Sequence, residues 1–417
     1  MAVRIAQRGK VPPFRAMDIL KPVAELEAQG RETFLLCLGQ PATPAPKPVI
    51  AAAKRALESD ALGYTASNGT PKLRQRIAQH YREEYGAQVD SANIVIATGS
   101  SAAFTAIFLA AFEAGDAVAM TRPGYPAYRN TLRSLGCELL DLDCGPETRW
   151  QPSVQLLERV TAARGGEAPA GLIIASPANP TGTILGAAEL RDICAWCDEH
   201  GTMLISDEIY HGISFGQRCA SATQFSLDNV TVGSFSKYYS MTGWRLGWAV
   251  LPEQLVRPVE LLLGNLNLSA PTLSQLAAQA AFDLESRVEL DEHVRRYCEN
   301  RKIVLEQLAA AGVRRVAPAD GAFYVYADVS DFTSDSAQWA ADLLQATGVA
   351  VTPGVDFAED ATFAPGSQSG AGVTNSPSLD GSRYVRISFA ADTATVREGM
   401  RRLVAWLKET SSGALAS

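Results

Sequence analysis

The chain has 417 residues, 47% of them hydrophobic, and a formal net charge of −8. That length supports two domains and a large buried core, and that composition excludes disorder. An acidic balance with no block of like charges argues against a nucleic acid or an anionic membrane as partner, because both need a basic face.

In chain order, Met1 to Lys10 carries charges without the apolar stretch of a secretory signal. No apolar run approaches the length of a membrane span. Seven cysteines, an odd number and widely spaced, read as a reducing compartment, and the expected location is the cytoplasm. Short β-rich runs then alternate with helical patterns. The expected strands are Ile94–Thr98, Ala117–Thr121, Glu138–Leu142, Gly171–Ser176, Met203–Asp207, Thr231–Ser234 and Gly247–Leu251. Helices expected among them include Ala102–Glu113 and Ala187–His200. Such alternation predicts an α/β fold, a mainly parallel sheet of seven strands between helices. Within the second helix, Cys194 and Cys197 share one face, where small apolar packing is the expected role. A second ligand pair for zinc is missing and the four histidines are scattered, so no metal is expected.

Beyond about residue 285 the pattern changes to a smaller α+β domain. It opens on a charged helix over Ser286–Gly312 and continues through a strand around Tyr324. A short strand pair follows near Val349–Pro353, then a strand at Tyr384–Phe389 and a last helix near Thr393–Lys408. The expected division is an N-terminal arm and small-domain segment over 1–44, a large domain over 45–285 and a small domain over 286–417. The stretch Gly366–Ser382 is rich in Gly and Ser and is expected to be mobile.

In open α/β sheets, ligands collect at the carboxyl ends of the strands. Four polar segments sit there. Thr98-Gly99-Ser100-Ser101-Ala102 opens a helix, whose free N–H groups suit a phosphate or simply a Ser cap. Ser176-Pro177-Ala178-Asn179-Pro180 is a turn with two X-Pro bonds, a plain loop or a rigid mount for Asn179. Asp207, with Tyr210 three residues on, ends an apolar strand, as a cap or as an acid facing a ligand. Ser234-Phe235-Ser236-Lys237 leads through Gly243 to Arg245. A lysine among hydroxyls and an arginine can form a Schiff base with an aldehyde, while Ser234 and Arg245 hold a phosphate. One ligand carrying both groups is pyridoxal 5'-phosphate (PLP). Arg386 alternates with apolar residues in Tyr384-Val385-Arg386, as an edge-strand surface residue or as a bidentate carboxylate clamp.

Taken together, these residues resemble the fold type I, class I/II PLP-dependent aminotransferases, from about Leu38 to Phe389. The resemblance rests on Ser234–Gly247, joined in order by Gly63-Tyr64, the Asn179-Pro180-Thr181-Gly182 turn, Asp207 with Tyr210, and Tyr384-Val385-Arg386. It implies an aminotransferase moving an amino group between an L-amino acid and a 2-oxo acid, by a ping-pong route through a Lys237 aldimine. Lys237, Asp207 and Tyr210 would be catalytic, with Asp207 on the pyridine nitrogen. Tyr210 and Asn179 would contact the ring hydroxyl, and Tyr125 would stack on the ring. Ser100, Ser101, Ala102, Ser234 and Arg245 would hold the phosphate. Tyr64 would reach the phosphate of a neighbouring subunit in a homodimer with shared sites. Gly39, Asn179 and Arg386 would bind the substrate carboxylate.

Two departures shape the substrate expectation. Gly39-Gln40-Pro41 is followed by Ala42 where many relatives carry Asp, and Ala102 stands where dicarboxylate-specific relatives carry Lys. With Val11–Phe14 and Tyr64, these point to a neutral or aromatic amino acid, with Arg15 and Asn265–Ser269 as rim residues. A lyase or decarboxylase of the same fold, such as a C–S β-lyase, is the alternative. A PLP-sensing module without turnover is more remote, because fewer than forty residues precede the fold and the charge is acidic.

Overall fold

The computed structural model describes residues 3–59, 61–358 and 379–414. Of the Gly/Ser-rich stretch expected to be mobile, residues 366–378 lie outside the described residues. In chain order the strands are β1 (Phe34–Leu35), β2 (Ile94–Ala97), β3 (Ala117–Arg122), β4 (Glu138–Asp143), β5 (Gly171–Ala175) and β6 (Met203–Asp207). They continue with β7 (Val230–Ser234), β8 (Gly247–Val250), β9 (Tyr324–Asp328), β10 (Val349–Ala350), β11 (Thr352–Pro353) and β12 (Tyr384–Ser388).

Seven of them form one sheet in the order β2-β8-β7-β6-β5-β3-β4. All pairs are parallel except those made by β8, which runs against both β2 and β7. The fold is therefore the mainly parallel α/β architecture read from the sequence. Alternate residues of each strand feed opposite faces. Val118, Met120, Ile173 and Ile205 pack under Phe104, Ile107 and Leu263, from helices Gly99–Ala111 and Glu253–Asn267. Ala119, Leu172, Ile174 and Leu204 pack against Leu156, Ile193 and Trp196 on the other face. Cys194 and Cys197 belong to that second core, and burial pushes the Cys194 thiol up to about 12.

The reversed β8 has a direct consequence for the site. Its first residue, Gly247, sits beside Ala97 and Ser234, the last residues of β2 and β7. Gly247 thus lies at the same sheet edge as the strand ends and touches the start of helix Gly99–Ala111. That helix begins three residues earlier than its apolar pattern suggests, so Ser100 and Ser101 lie in its first turn. Arg386 loses only its surface-edge reading. It sits on β12, the middle strand of an antiparallel sheet ordered β11-β12-β9, and is 3% exposed rather than on a surface edge. Phe34 and Leu35 of β1 pair in parallel with β10, tying the N-terminal segment to the C-terminal part of the chain.

Gly247 has no room for a side chain. A Cβ there would stand 2.6 Å from the Ser100 amide nitrogen and 3.0 Å from the Gly233 carbonyl oxygen, and neither backbone atom can swing aside. Gly247→Ala is expected to cost about 1–3 kcal/mol, seen as a lower urea midpoint. An unchanged midpoint would show that this edge is softer than its packing implies.

Candidate active site

At the edge formed by β2, β7 and β8, the N-terminus of helix Gly99–Ala111 faces out of the sheet. Thr98 precedes it without a side-chain cap, so the helix start keeps open N–H donors. Gly99 has φ +76°, and a Cβ there would collide with the Arg245 guanidinium, which lies across it. Arg245 is itself in the left-handed region, φ 51°, and one of its nitrogens donates to the Thr242 carbonyl oxygen at 2.9 Å. The Ser234 hydroxyl, buried at the end of β7, accepts the Ser236 N–H at 3.0 Å. Helix N–H groups, two hydroxyl-bearing segments and a guanidinium make a cup for a dianion.

Asp207 ends β6 as a buried carboxylate. Its Oδ1 accepts the Ile209 N–H at 3.1 Å, and its Oδ2 accepts the Tyr128 hydroxyl. Burial raises its pKa to about 6, against the pull of these donors and of Lys237. Tyr210 lies beyond the same strand end, and its hydroxyl shares a 2.6 Å hydrogen bond with Tyr324. Lys237 follows β7. Its amine donates to the Gly39 carbonyl oxygen at 2.7 Å and stands 5.6 Å from the centre of the Tyr210 ring. Burial, then the Arg386 and Arg245 charges, lower its pKa from 10.5 to about 8, with Asp207 opposing. An amine in that state is partly uncharged at neutral pH and nucleophilic.

Arg386 reaches the same space from β12. One terminal nitrogen donates to Asn179 Oδ1 at 2.8 Å. The other donates to the Cys37 carbonyl oxygen at 2.5 Å and to Thr352 Oγ1 at 3.1 Å. Its guanidinium carbon lies 4.5 Å from the Tyr324 ring centre and 4.8 Å from that of Phe357. Among the described residues this buried cation has no carboxylate in salt-bridge range, and its Nε has no hydrogen-bond partner. A buried guanidinium paired only with neutral acceptors is suited to an incoming carboxylate. Asn179 uses its oxygen on Arg386, which leaves its NH₂ to donate elsewhere. The bonds Ser176–Pro177 and Asn179–Pro180, which flank this turn, are both cis.

Tyr125 precedes helix Pro126–Leu135, with its ring edge-on to Tyr128 at 5.2 Å and to Phe14 at 5.7 Å. The structure thus gathers Gly39, Asn179, Asp207, Tyr210, Lys237 and Arg386 through direct contacts and mutual charge effects, with Ser100, Ser101, Ser234 and Arg245 at the adjoining cup. Tyr64 stands apart, 84% exposed. Sequence reasoning missed Tyr128, Tyr324 and Thr352. Tyr128 lies three residues after Tyr125, a helical repeat that puts both rings on one side. Tyr324 alternates with Tyr326 in a buried strand and looks like core alone. The donor set fits PLP: a depressed-pKa amine for the aldehyde, a helix start with a guanidinium for the phosphate, and a buried carboxylate for the ring nitrogen.

Comparison with known proteins agrees. Residues 31–403 match the family "aminotransferase class I and II". A valine–pyruvate aminotransferase of Mycobacterium tuberculosis is 45% identical over 98% of this chain and 99% of its own. The crystal structure of an aminotransferase from Mycobacterium tuberculosis superposes with a TM-score of 0.90 at 45% identity, covering 98% of this chain and all of that one. An aspartate aminotransferase from Thermus thermophilus, solved with maleate, gives 0.87 at 27% identity, over 97% of this chain and 100% of that one. The chain belongs to the class I and II aminotransferases, enzymes that use pyridoxal 5'-phosphate to move amino groups between amino acids and 2-oxo acids.

Proposed function

We propose that this enzyme takes the amino group of a neutral L-amino acid and passes it to a 2-oxo acid. The observation that carries this reading is the half-buried Lys237 amine, its pKa near 8, in the field of a buried guanidinium that lacks a carboxylate partner among the described residues. The neutral side chain is supported by Phe14 against Tyr125, by Ala102 in the helix start, and by the valine–pyruvate relative.

The geometry supports a set of roles for these residues. When bound, PLP supplies an aldehyde for amine exchange and a ring that takes up the electron pair left at the substrate Cα. Arg386 and the backbone near Gly39 grip the substrate carboxylate, which fixes Cα beside Lys237. The Lys237 amine is placed to take the Cα proton and would return it to the carbon on the far side of the transferred nitrogen. Asp207 would keep the ring nitrogen protonated, and Tyr210 and the Asn179 NH₂ would hold the ring hydroxyl. Tyr125 would cover the ring face. Ser234, Arg245 and the N–H groups of Ser100, Ser101 and Ala102 would hold the phosphate.

We also read the chain as an arm over 1–44, a large cofactor-binding domain over 45–285 and a small domain over 286–417. The confinement of the seven-stranded sheet to the middle span supports that division. A homodimer is proposed as well. Tyr64, Leu261, Leu266 and Leu268 are exposed apolar side chains, and the Tyr64 loop is tied to the end of helix Glu253–Asn267 by the Thr65 N–H bond to Ser269 Oγ, a surface suited to cover by a second copy. No helix among the described residues is long and apolar enough to cross a membrane. Seven free cysteines, six of them buried, favour a cytoplasmic setting.

Three outcomes are expected. With the PLP-loaded enzyme, neutral amino acids such as valine should bleach the coenzyme absorbance stoichiometrically, and pyruvate should restore it. Release of ammonia or carbon dioxide instead would assign lyase or decarboxylase chemistry. In the same assay, Arg386→Ala should lower kcat/KM by roughly 100-fold, about 3 kcal/mol, mostly through KM. The second outcome concerns pH. Uptake of PLP by the apoenzyme needs the uncharged amine, so its rate should rise with pH and level off above about 8. A rate still climbing toward 10.5 would mean that Lys237 is not depressed. Third, the enzyme should sediment as a dimer, and Tyr64→Ala should weaken PLP retention on dialysis without disturbing the dimer. A monomeric, fully active enzyme would remove the shared-site reading.

A further inference from the structure

Tyr128 has no place in the roles above, yet its hydroxyl is hydrogen-bonded directly to Asp207. It lies in helix Pro126–Leu135 and is 6% exposed. Its hydroxyl donates to Asp207 Oδ2, while the Ile209 N–H occupies Oδ1. Its ring is wedged between Phe104, with centres 4.9 Å apart, and Tyr125, at 5.2 Å edge-on. Packing fixes the ring, and the ring aims the hydroxyl.

A buried carboxylate keeps its charge only where donors or cations favour it. Asp207 has no salt bridge among the described residues. Lys237 favours its charged form through space, and the Asp207 charge in turn raises the pKa of Tyr125, Tyr210 and the adjacent Glu208. The two directional donors, Tyr128 and Ile209, therefore carry much of the stabilisation. Tyr128 itself cannot give up its proton, because burial and the Asp207 charge hold its phenol well above the ordinary range.

We propose that Tyr128 is a positioning residue for the amino-transfer reaction, holding Asp207 ionised and correctly turned while its ring braces Tyr125. The proposal rests on the reading that Asp207 serves the ring nitrogen. Without the Tyr128 hydroxyl, the carboxylate becomes the stronger base, and the proton shared with that nitrogen moves toward Asp207. Electron uptake by the ring then weakens. Binding of the substrate carboxylate at Arg386 is untouched.

The test uses holoenzyme reconstituted with PLP labelled with ¹⁵N in the ring, comparing the wild type, Tyr128→Phe and Asp207→Asn. Tyr128→Phe keeps the ring and its packing and removes only the donor. The expected result is a ¹⁵N resonance displaced toward the unprotonated position, with a kcat reduced roughly 10-fold, the size of a lost charge-assisted hydrogen bond, and an unchanged KM. An unmoved resonance in Tyr128→Phe, with a displaced one in Asp207→Asn, would overturn the proposal and leave the Asp207 reading standing. A resonance unmoved in both variants would remove that reading and the proposal with it. A raised KM at an unchanged kcat would assign Tyr128 to substrate binding and also overturn the proposal.

Discussion

The site is organised around one constraint: the Lys237 amine must be able to shed its charge at neutral pH, yet it sits opposite a carboxylate that favours keeping it. Burial and two guanidinium groups outweigh Asp207 and bring the amine to about 8. The displacement from 10.5 corresponds to roughly 3 kcal/mol of preference against the ammonium form. The Arg386 and Arg245 charges that produce it are also the groups suited to the substrate carboxylate and the cofactor phosphate. Two anions arriving at those guanidinium groups would weaken their hold on the lysine. The proton affinity of Lys237 therefore depends on what occupies its neighbours, which suits a group that must take a proton and later return it.

The architecture supplies this arrangement by placing strand ends in register. Asp207 and Ser234 end adjacent parallel strands, and the reversed β8 returns Gly247 to the same edge. Glycine is needed at Gly39, where any Cβ would overlap the Tyr324 hydroxyl, as it is at Gly99 under Arg245. These close approaches let backbone carbonyls and helix N–H groups act directly on the reacting atoms. Tyr324 links three parts of the centre: the Tyr210 hydroxyl, the Arg386 guanidinium and the Gly39 backbone.

Much of this was legible in the sequence because buried parallel strands are short apolar runs with polar residues at their ends. All seven strands of the large sheet fall within a residue or so of their expected bounds. The order Ser234, Lys237, Arg245 and the Asp207 to Tyr210 spacing were legible for the same reason. The setting of Arg386 was not. Whether β12 is an edge or a centre strand depends on β9 and β11, which lie far from it in sequence and pair only in three dimensions. Tyr128 and Tyr324 were hidden differently. A tyrosine in an apolar pattern looks the same whether its hydroxyl meets a catalytic group or an ordinary core acceptor. The apolar pattern alone starts helix Gly99–Ala111 at Ala102, because its first turn carries no periodic signal, and only the Thr98–Ala102 turn marked the opening.

The spread of the site along the chain also sets a calendar for its assembly. The cup for the phosphate, the lysine and Asp207 are all encoded by residue 247, whereas the carboxylate clamp waits for β12. About 140 residues separate the two, roughly 7–30 s of synthesis at the usual pace of a ribosome. A nascent chain thus carries Lys237, Asp207 and the proposed phosphate cup well before it carries the proposed substrate clamp.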